Sequence, residues 1–226
     1  MTEHAIHPPT GTFWKESRVV GDALALALAS PLAWTLPRGA GEPVMVLPGY
    51  LTSDRSTTPL RSFLRVLGYR VEGWGLGTNR GDVEGLLEPV NQRVLDFAER
   101  SGSPVSLIGW SLGGVLAREA ARDMPTKVER VITLGTPVIG GPRYTIAARA
   151  FAKQQQKIEQ RIAEREQVPI EVPITSIYSQ GDGVVAWQAC LDRSNPDVEH
   201  LEVKGSHLGL GINPKVWGIV ARRLAQ

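Results

Sequence analysis

The sequence predicts an α/β fold: a mainly parallel central sheet flanked by helices. Three observations carry that expectation. Apolar runs of strand length alternate with helix-length amphipathic patterns along the chain. The run VMVL at 44–47 is continuously apolar, as a strand covered on both faces is. At residues 107–119, LIGWSLGGVLARE, a strand pattern passes into a helix pattern through a glycine-flanked serine.

Residues 1 to about 15 read as a mobile tail. The run at 23–34, ALALALASPLAW, is too short to span a bilayer, which takes roughly 20 apolar residues. Ala27, Leu28 and Ala29 resemble a signal-peptidase site. However, Glu3, Glu16 and Asp22 precede the run and Lys15 and Arg18 come late, a poor charged leader. The run is therefore expected to be a helix packed on the domain and the protein cytoplasmic, with secretion through an atypical signal as the alternative.

Residues 44–49, VMVLPG, read as a buried strand. Thr58 can cap a helix and Pro59 open it, with Leu60, Phe63, Leu64 and Leu67 at helical spacing and Gly68 as the stop. Residues 69–74, YRVEGW, form the next strand. Residues 83–100 are helical but carry Pro89, which predicts a kink or two short helices. Strands follow at 105–110, 128–135, 174–179 and 199–205. The helix from Leu112 ends near Pro125. The last helix is capped by Asn213 and opened by Pro214.

One stretch interrupts the alternation. Residues 136–172 contain a charged helical run, FAKQQQKIEQRIAEREQ, with Phe151, Ile158 and Ile162 on one side. Such insertions are usually functional or disordered, so this one is a candidate cap or lid over an acyl pocket, the plainer alternative being a solvated face. The expected organisation is a single domain over 1–226, with 1–40 as tail and helix.

At 226 residues and 42% hydrophobic content the chain suits one globular domain with a sizeable core. Its 25 basic residues are spread along the chain and the net charge is only +2, so no nucleic-acid partner is implied. The single cysteine, Cys190, excludes an internal disulfide and reads as a buried apolar filler. No histidine pair has ligand spacing, so no metal is expected. Residues 73–79, GWGLGTN, lack the spacing of a dinucleotide-binding loop and read as a flexible loop beside the active site. No cofactor is implied.

The serine at the strand-to-helix corner has the Gly-x-Ser-x-Gly pattern of a nucleophile elbow, Gly109 to Gly113. Its flanking glycines keep side chains out of a strained turn and leave the hydroxyl presented at the sheet edge. The next N–H, of Leu112, points to the same place at the positive end of a helix. A serine needs a base, and the base an orienting acid. His207, in KGSHLGLG, lies just past the last strand. Asp182, in YSQGDGVV, sits in a turn after the strand ending at Ser179, with Asp192 and Asp197 as rivals farther from that end. A second oxyanion donor should come from the loop after an early strand, where VLPGYLTSD offers the N–H of Tyr50. Trp110, Trp74 and Trp187 are candidates for the pocket wall, the alternative for Trp74 and Trp187 being the core.

Together VMVLPGYLTSD, GWSLGG, TLGTP, YSQGDGVV and GSHLGLG resemble the lipase and esterase-like branch of the α/β-hydrolase superfamily, from about Glu42 to the C-terminus. The resemblance implies eight strands or a trimmed set, and carboxylic-ester chemistry with Ser111 as nucleophile, Asp182 as acid, His207 as base, and Tyr50 and Leu112 as oxyanion donors. Two positions depart from the common pattern. Trp110 stands where many relatives have histidine, and Pro48 replaces the histidine of the usual His-Gly oxyanion motif. The expected partner is a small lipophilic ester. An acyltransferase or thioesterase using the same triad, and a non-catalytic binding protein on the same scaffold, are the alternatives.

Overall fold

The computed structural model describes residues 6, 7, 16 and 35–226, so the helix expected over 23–34 lies outside the described residues. Six strands form one sheet: β1 (Pro43–Leu47), β2 (Arg70–Gly73), β3 (Val105–Trp110), β4 (Val128–Leu134), β5 (Ile174–Tyr178) and β6 (Val198–Glu202). Their order is β2-β1-β3-β4-β5-β6, and every neighbouring pair is parallel. The order reverses direction at β1 and β3, which places the carboxyl ends of these two strands at a topological switch point where ligands of open α/β sheets bind.

Side-chain alternation divides each strand between two cores. Val44, Val46, Ile108 and Ile132 pack with α1 (Asp54–Val66) and α6 (Pro214–Leu224) on one face. Met45, Leu47, Leu107 and Val131 pack with α2 (Val83–Ser101) and α3 (Leu112–Asp123) on the other. All five β1 residues are buried, which accounts for an unbroken apolar run in the sequence. Each fully buried aliphatic side chain contributes roughly 1.5–3 kcal/mol to this double core.

Two helices differ from expectation. α1 starts at Asp54 with Ser53 as its cap, a turn before Thr58, and Pro59 lies inside it. Likewise α2 runs unbroken through Pro89, not as two short helices. In both, the proline and the residue four before it, Arg55 or Gly85, are exposed. Water can therefore serve the carbonyl that the proline leaves without a donor, which lowers the cost of an internal proline. The expected cap of α6 is present: Asn213 accepts from the Lys215 N–H at 2.9 Å, and Pro214 follows it.

The 136–172 excursion forms a 3-10 turn (Gly141–Tyr144), a single-turn helix α4 (Ala148–Phe151) and α5 (Gln155–Arg165). Among the described residues no helix is long and apolar enough to cross a membrane.

Candidate active site

Ser111 is the N-cap of α3, with φ 53° and ψ −122°. This region costs a non-glycine residue on the order of 1–3 kcal/mol and persists only when the surroundings fix it. Three bonds do so. The Ser111 N–H donates to the Leu134 carbonyl at 2.8 Å, and the Ser111 carbonyl accepts from the Gly114 N–H and the Thr136 hydroxyl, both at 2.9 Å. α3 is pressed so tightly on β3 that a Cβ at Gly109 would lie 2.2 Å from the Gly114 Cα. The first glycine of the motif is thus required by the close approach of helix and strand.

The loop after β1 passes directly beside the serine: a Cβ at Gly49 would sit 3.3 Å from the Ser111 Cβ. Asn79, entirely buried, braces this loop. Its amide donates to the Pro48 carbonyl at 3.0 Å, and its own carbonyl accepts from the Leu51 N–H at 2.7 Å. Leu51 has φ 58°, a second left-handed non-glycine residue at this end of the sheet. Among the described residues, neither the Tyr50 nor the Leu112 N–H is committed to an acceptor. Residues 73–79, expected beside the active site, contribute Asn79 to this loop.

The candidate acid and base, Asp182 and His207, follow the ends of β5 and β6. Asp182 Oδ1 accepts from the N–H groups of Val184 and Val185 at 2.8 and 2.7 Å, locking the turn after β5. Its Oδ2 is 2.6 Å from His207 Nδ1. Gly135, at the end of β4 with φ 57°, lies beside both: a Cβ there would be 2.9 Å from His207 Nδ1 and 3.1 Å from Asp182 Oδ2. His207 is deeply buried. Burial alone disfavours its cation, but the charge and hydrogen bond of Asp182, then the charge of Glu16, outweigh burial and raise its pKa above the usual histidine value. Ser111 Oγ makes no hydrogen bond among the described residues.

The three tryptophans separate. Trp110 is half-buried, and its indole donates to the His207 carbonyl at 3.2 Å, supporting the base loop. Trp74, expected at the pocket, is fully enclosed in the core with Met45, Leu47 and Val90, its indole N–H closed on the Gly77 carbonyl at 3.0 Å. Trp187 lies on a 3-10 turn (Trp187–Cys190) beyond Asp182, stacked on Tyr178 with centroids 5.7 Å apart.

Asp192 is engaged elsewhere. Its Oδ2 is 2.6 Å from the Arg118 guanidinium, and although burial opposes ionisation, Arg118 and local N–H groups hold the carboxyl below its usual range. Cys190 is buried, which pushes its thiol well up. Two participants lack a sequence signal. Asn79 is one. Glu16, assigned by sequence to the edge of the tail, is the other: its carboxylate contacts the backbones of both the acid turn and the base loop.

No protein-family model and no curated protein matches the chain. Solved structures do. A monoacylglycerol lipase from Paleococcus ferrophilus superposes with a TM-score of 0.59 at 14% identity, over 82% of this chain and 94% of that one. The thioesterase domain from the curacin biosynthetic pathway gives 0.58 at 15%, over 84% and 93%. Mouse alpha/beta hydrolase domain-containing protein 10 gives 0.55 at 21%, over 82% and 89%. Each of these likenesses covers more than four fifths of this chain. The chain has the α/β-hydrolase fold.

Proposed function

We propose that the protein is a serine hydrolase of carboxylic esters. The observations that carry this reading are the 2.6 Å Asp182–His207 pair, whose loop is bonded to Trp110 next to Ser111 in sequence, and the strained positive φ of Ser111 itself. His207 Nε2 takes the Ser111 proton as Oγ attacks the ester carbonyl, and Asp182 holds the imidazole through Nδ1 and stabilises its cation. The Tyr50 and Leu112 N–H groups receive the developing oxyanion, a contribution whose loss costs on the order of 10²–10³ in rate. The tetrahedral intermediate collapses with release of the alcohol, which takes the proton from His207. Water, activated by the same histidine, then cleaves the acyl-enzyme.

A lipophilic ester suits the rim of this site. Leu51, Ile146 and Leu208 are 64%, 46% and 39% exposed, and they flank, in turn, the oxyanion loop, the acid turn and the base. The excursion approaches from the same side, with the Phe151 ring edge-on to Tyr50 at 5.5 Å, so we assign it as a cover over the acyl pocket. The likeness to a thioesterase domain brings thioesters into the range to be tested.

The test is turnover of p-nitrophenyl esters from acetyl to palmitoyl, a matched thioester series, and Ser111→Ala throughout. Turnover by the wild type that falls to background in the variant is the expected result, with the chain-length optimum reporting pocket size. Full activity in the variant removes Ser111 from the reaction. Turnover of thioesters alone, or of neither series, displaces the ester reading in favour of a thioesterase, an acyltransferase or a binding role.

A further inference from the structure

Glu16 is 4% exposed and lies far from the triad in sequence, yet its carboxylate joins two of the triad's loops. Oε1 accepts from the Gly183 N–H at 2.9 Å and the His207 N–H at 3.1 Å. Oε2 accepts from the Leu208 N–H at 2.7 Å. Gly183 follows the acid and Leu208 follows the base. One side chain therefore spans the turn after β5 and the loop after β6, across separations of 167 and 191 residues. Hydrogen bonds to a charged acceptor are roughly twice as strong as neutral ones.

We propose that Glu16 is a positioning residue of the active site: it clamps the Asp182 turn to the His207 loop and adds a second negative charge behind the imidazole. This rests on the triad reading above. The clamp acts through backbone, so it fixes where the imidazole stands without touching substrate. Its charge acts through the imidazole itself. The ionisable groups facing His207 are Asp182 from the β5 turn and Glu16 from the N-terminal segment. Cys190, on the 3-10 turn, interacts with Asp182 and stays a neutral thiol. The remaining neighbours, Trp110 of β3 and Gly135 of β4, carry no charge. Glu16 thus favours the imidazolium that forms when Ser111 gives up its proton.

Glu16→Gln separates this role from simple support. The amide keeps one accepting oxygen for Gly183 and His207, turns an N–H toward the Leu208 N–H, and removes the charge. Two readings on the full chain are needed. The first is the His207 titration by NMR of ¹⁵N-histidine-labelled protein, assigned with His207→Gln. The second is kcat and KM on a p-nitrophenyl ester. We expect the His207 midpoint to move down in Glu16→Gln, the acid limb of kcat/KM to move with it, and kcat to fall roughly tenfold with KM little changed. Glu16→Asp, which keeps the charge on a shorter stem, should return the midpoint toward wild type while recovering kcat only in part. A lowered melting temperature with an unmoved midpoint and wild-type kcat overturns the proposal, because Glu16 is then structural only. If wild-type protein turns over no ester and Ser111 takes no fluorophosphonate label, the triad reading fails instead. The NMR midpoint still decides whether Glu16 acts on His207.

Discussion

The carboxyl ends of the central strands and the 136–172 excursion are held by different forces. At the strand ends, β3 residues 105–109 are buried, Ser111 is held by three hydrogen bonds, and α3 leaves no room for a side chain at Gly109. In the excursion, neither α4 nor α5 has a buried residue. α5 is attached mainly through charged side chains: Lys157 to Glu84, Arg143 to Glu159, and Arg165 to Glu119 and Asp123. The Lys157–Glu84 and Arg143–Glu159 pairs are exposed, and such pairs are weak and screened by salt, whereas Arg165 and its two partners are partly buried. The strand ends that carry Ser111 and the Asp182–His207 pair are thus built into the core, while the excursion is fastened largely by side-chain ion pairs.

Breaking the buried end should cost most. His207→Gln keeps a donor for Asp182 but no base, and kcat should fall on the order of 10⁴-fold or more, read by ester turnover with circular dichroism confirming the fold. Next comes Gly109→Ala, whose methyl group would collide with the backbone of α3. We expect a loss of about 3 kcal/mol, a fall in melting temperature of roughly 6–12 °C by calorimetry. The pH profile sharpens the same side of the comparison. As the proposed base, His207 would act when neutral, and its pKa is raised, so kcat/KM should climb with pH to a midpoint above the ordinary histidine value of roughly 6.5. A midpoint below that value would contradict the Asp182 and Glu16 geometry. The smallest effect belongs to the excursion. Lys157→Ala, which removes the exposed pair with Glu84, should lower stability by at most about 1 kcal/mol and leave turnover of a short-chain ester unchanged, while KM for a long-chain ester changes if the excursion covers the acyl pocket.

The same contrast explains what the sequence made legible. Strands such as β1 and β3, buried almost throughout, stand out as apolar runs, and five of the six strands lie within one or two residues of where the sequence puts them, while β6 ends at Glu202, three residues before Gly205. Ser111, Asp182 and His207 each sit at a strand end inside a glycine-bearing turn, a local pattern that survives in one dimension. The start of α1 and the continuity of α2 were not legible, because whether a proline breaks a helix depends on water reaching one carbonyl, a property of the folded surface. Trp74 follows a strand as Trp110 does, and only packing sends one into the core and the other beneath the base loop. Glu16 is the extreme case: an acidic residue in an unremarkable stretch whose partners are backbone N–H groups, which no side-chain pattern encodes.

The account stands or falls on Ser111 being an activated nucleophile. The most direct measurement is mass spectrometry of the full chain after brief treatment with a fluorophosphonate, in which Ser111 Oγ forms a bond to phosphorus and fluoride leaves. A single adduct that maps to Ser111, and that is lost in both Ser111→Ala and His207→Gln, is the predicted result. An adduct on another residue, or none while the same sample hydrolyses esters, would contradict it.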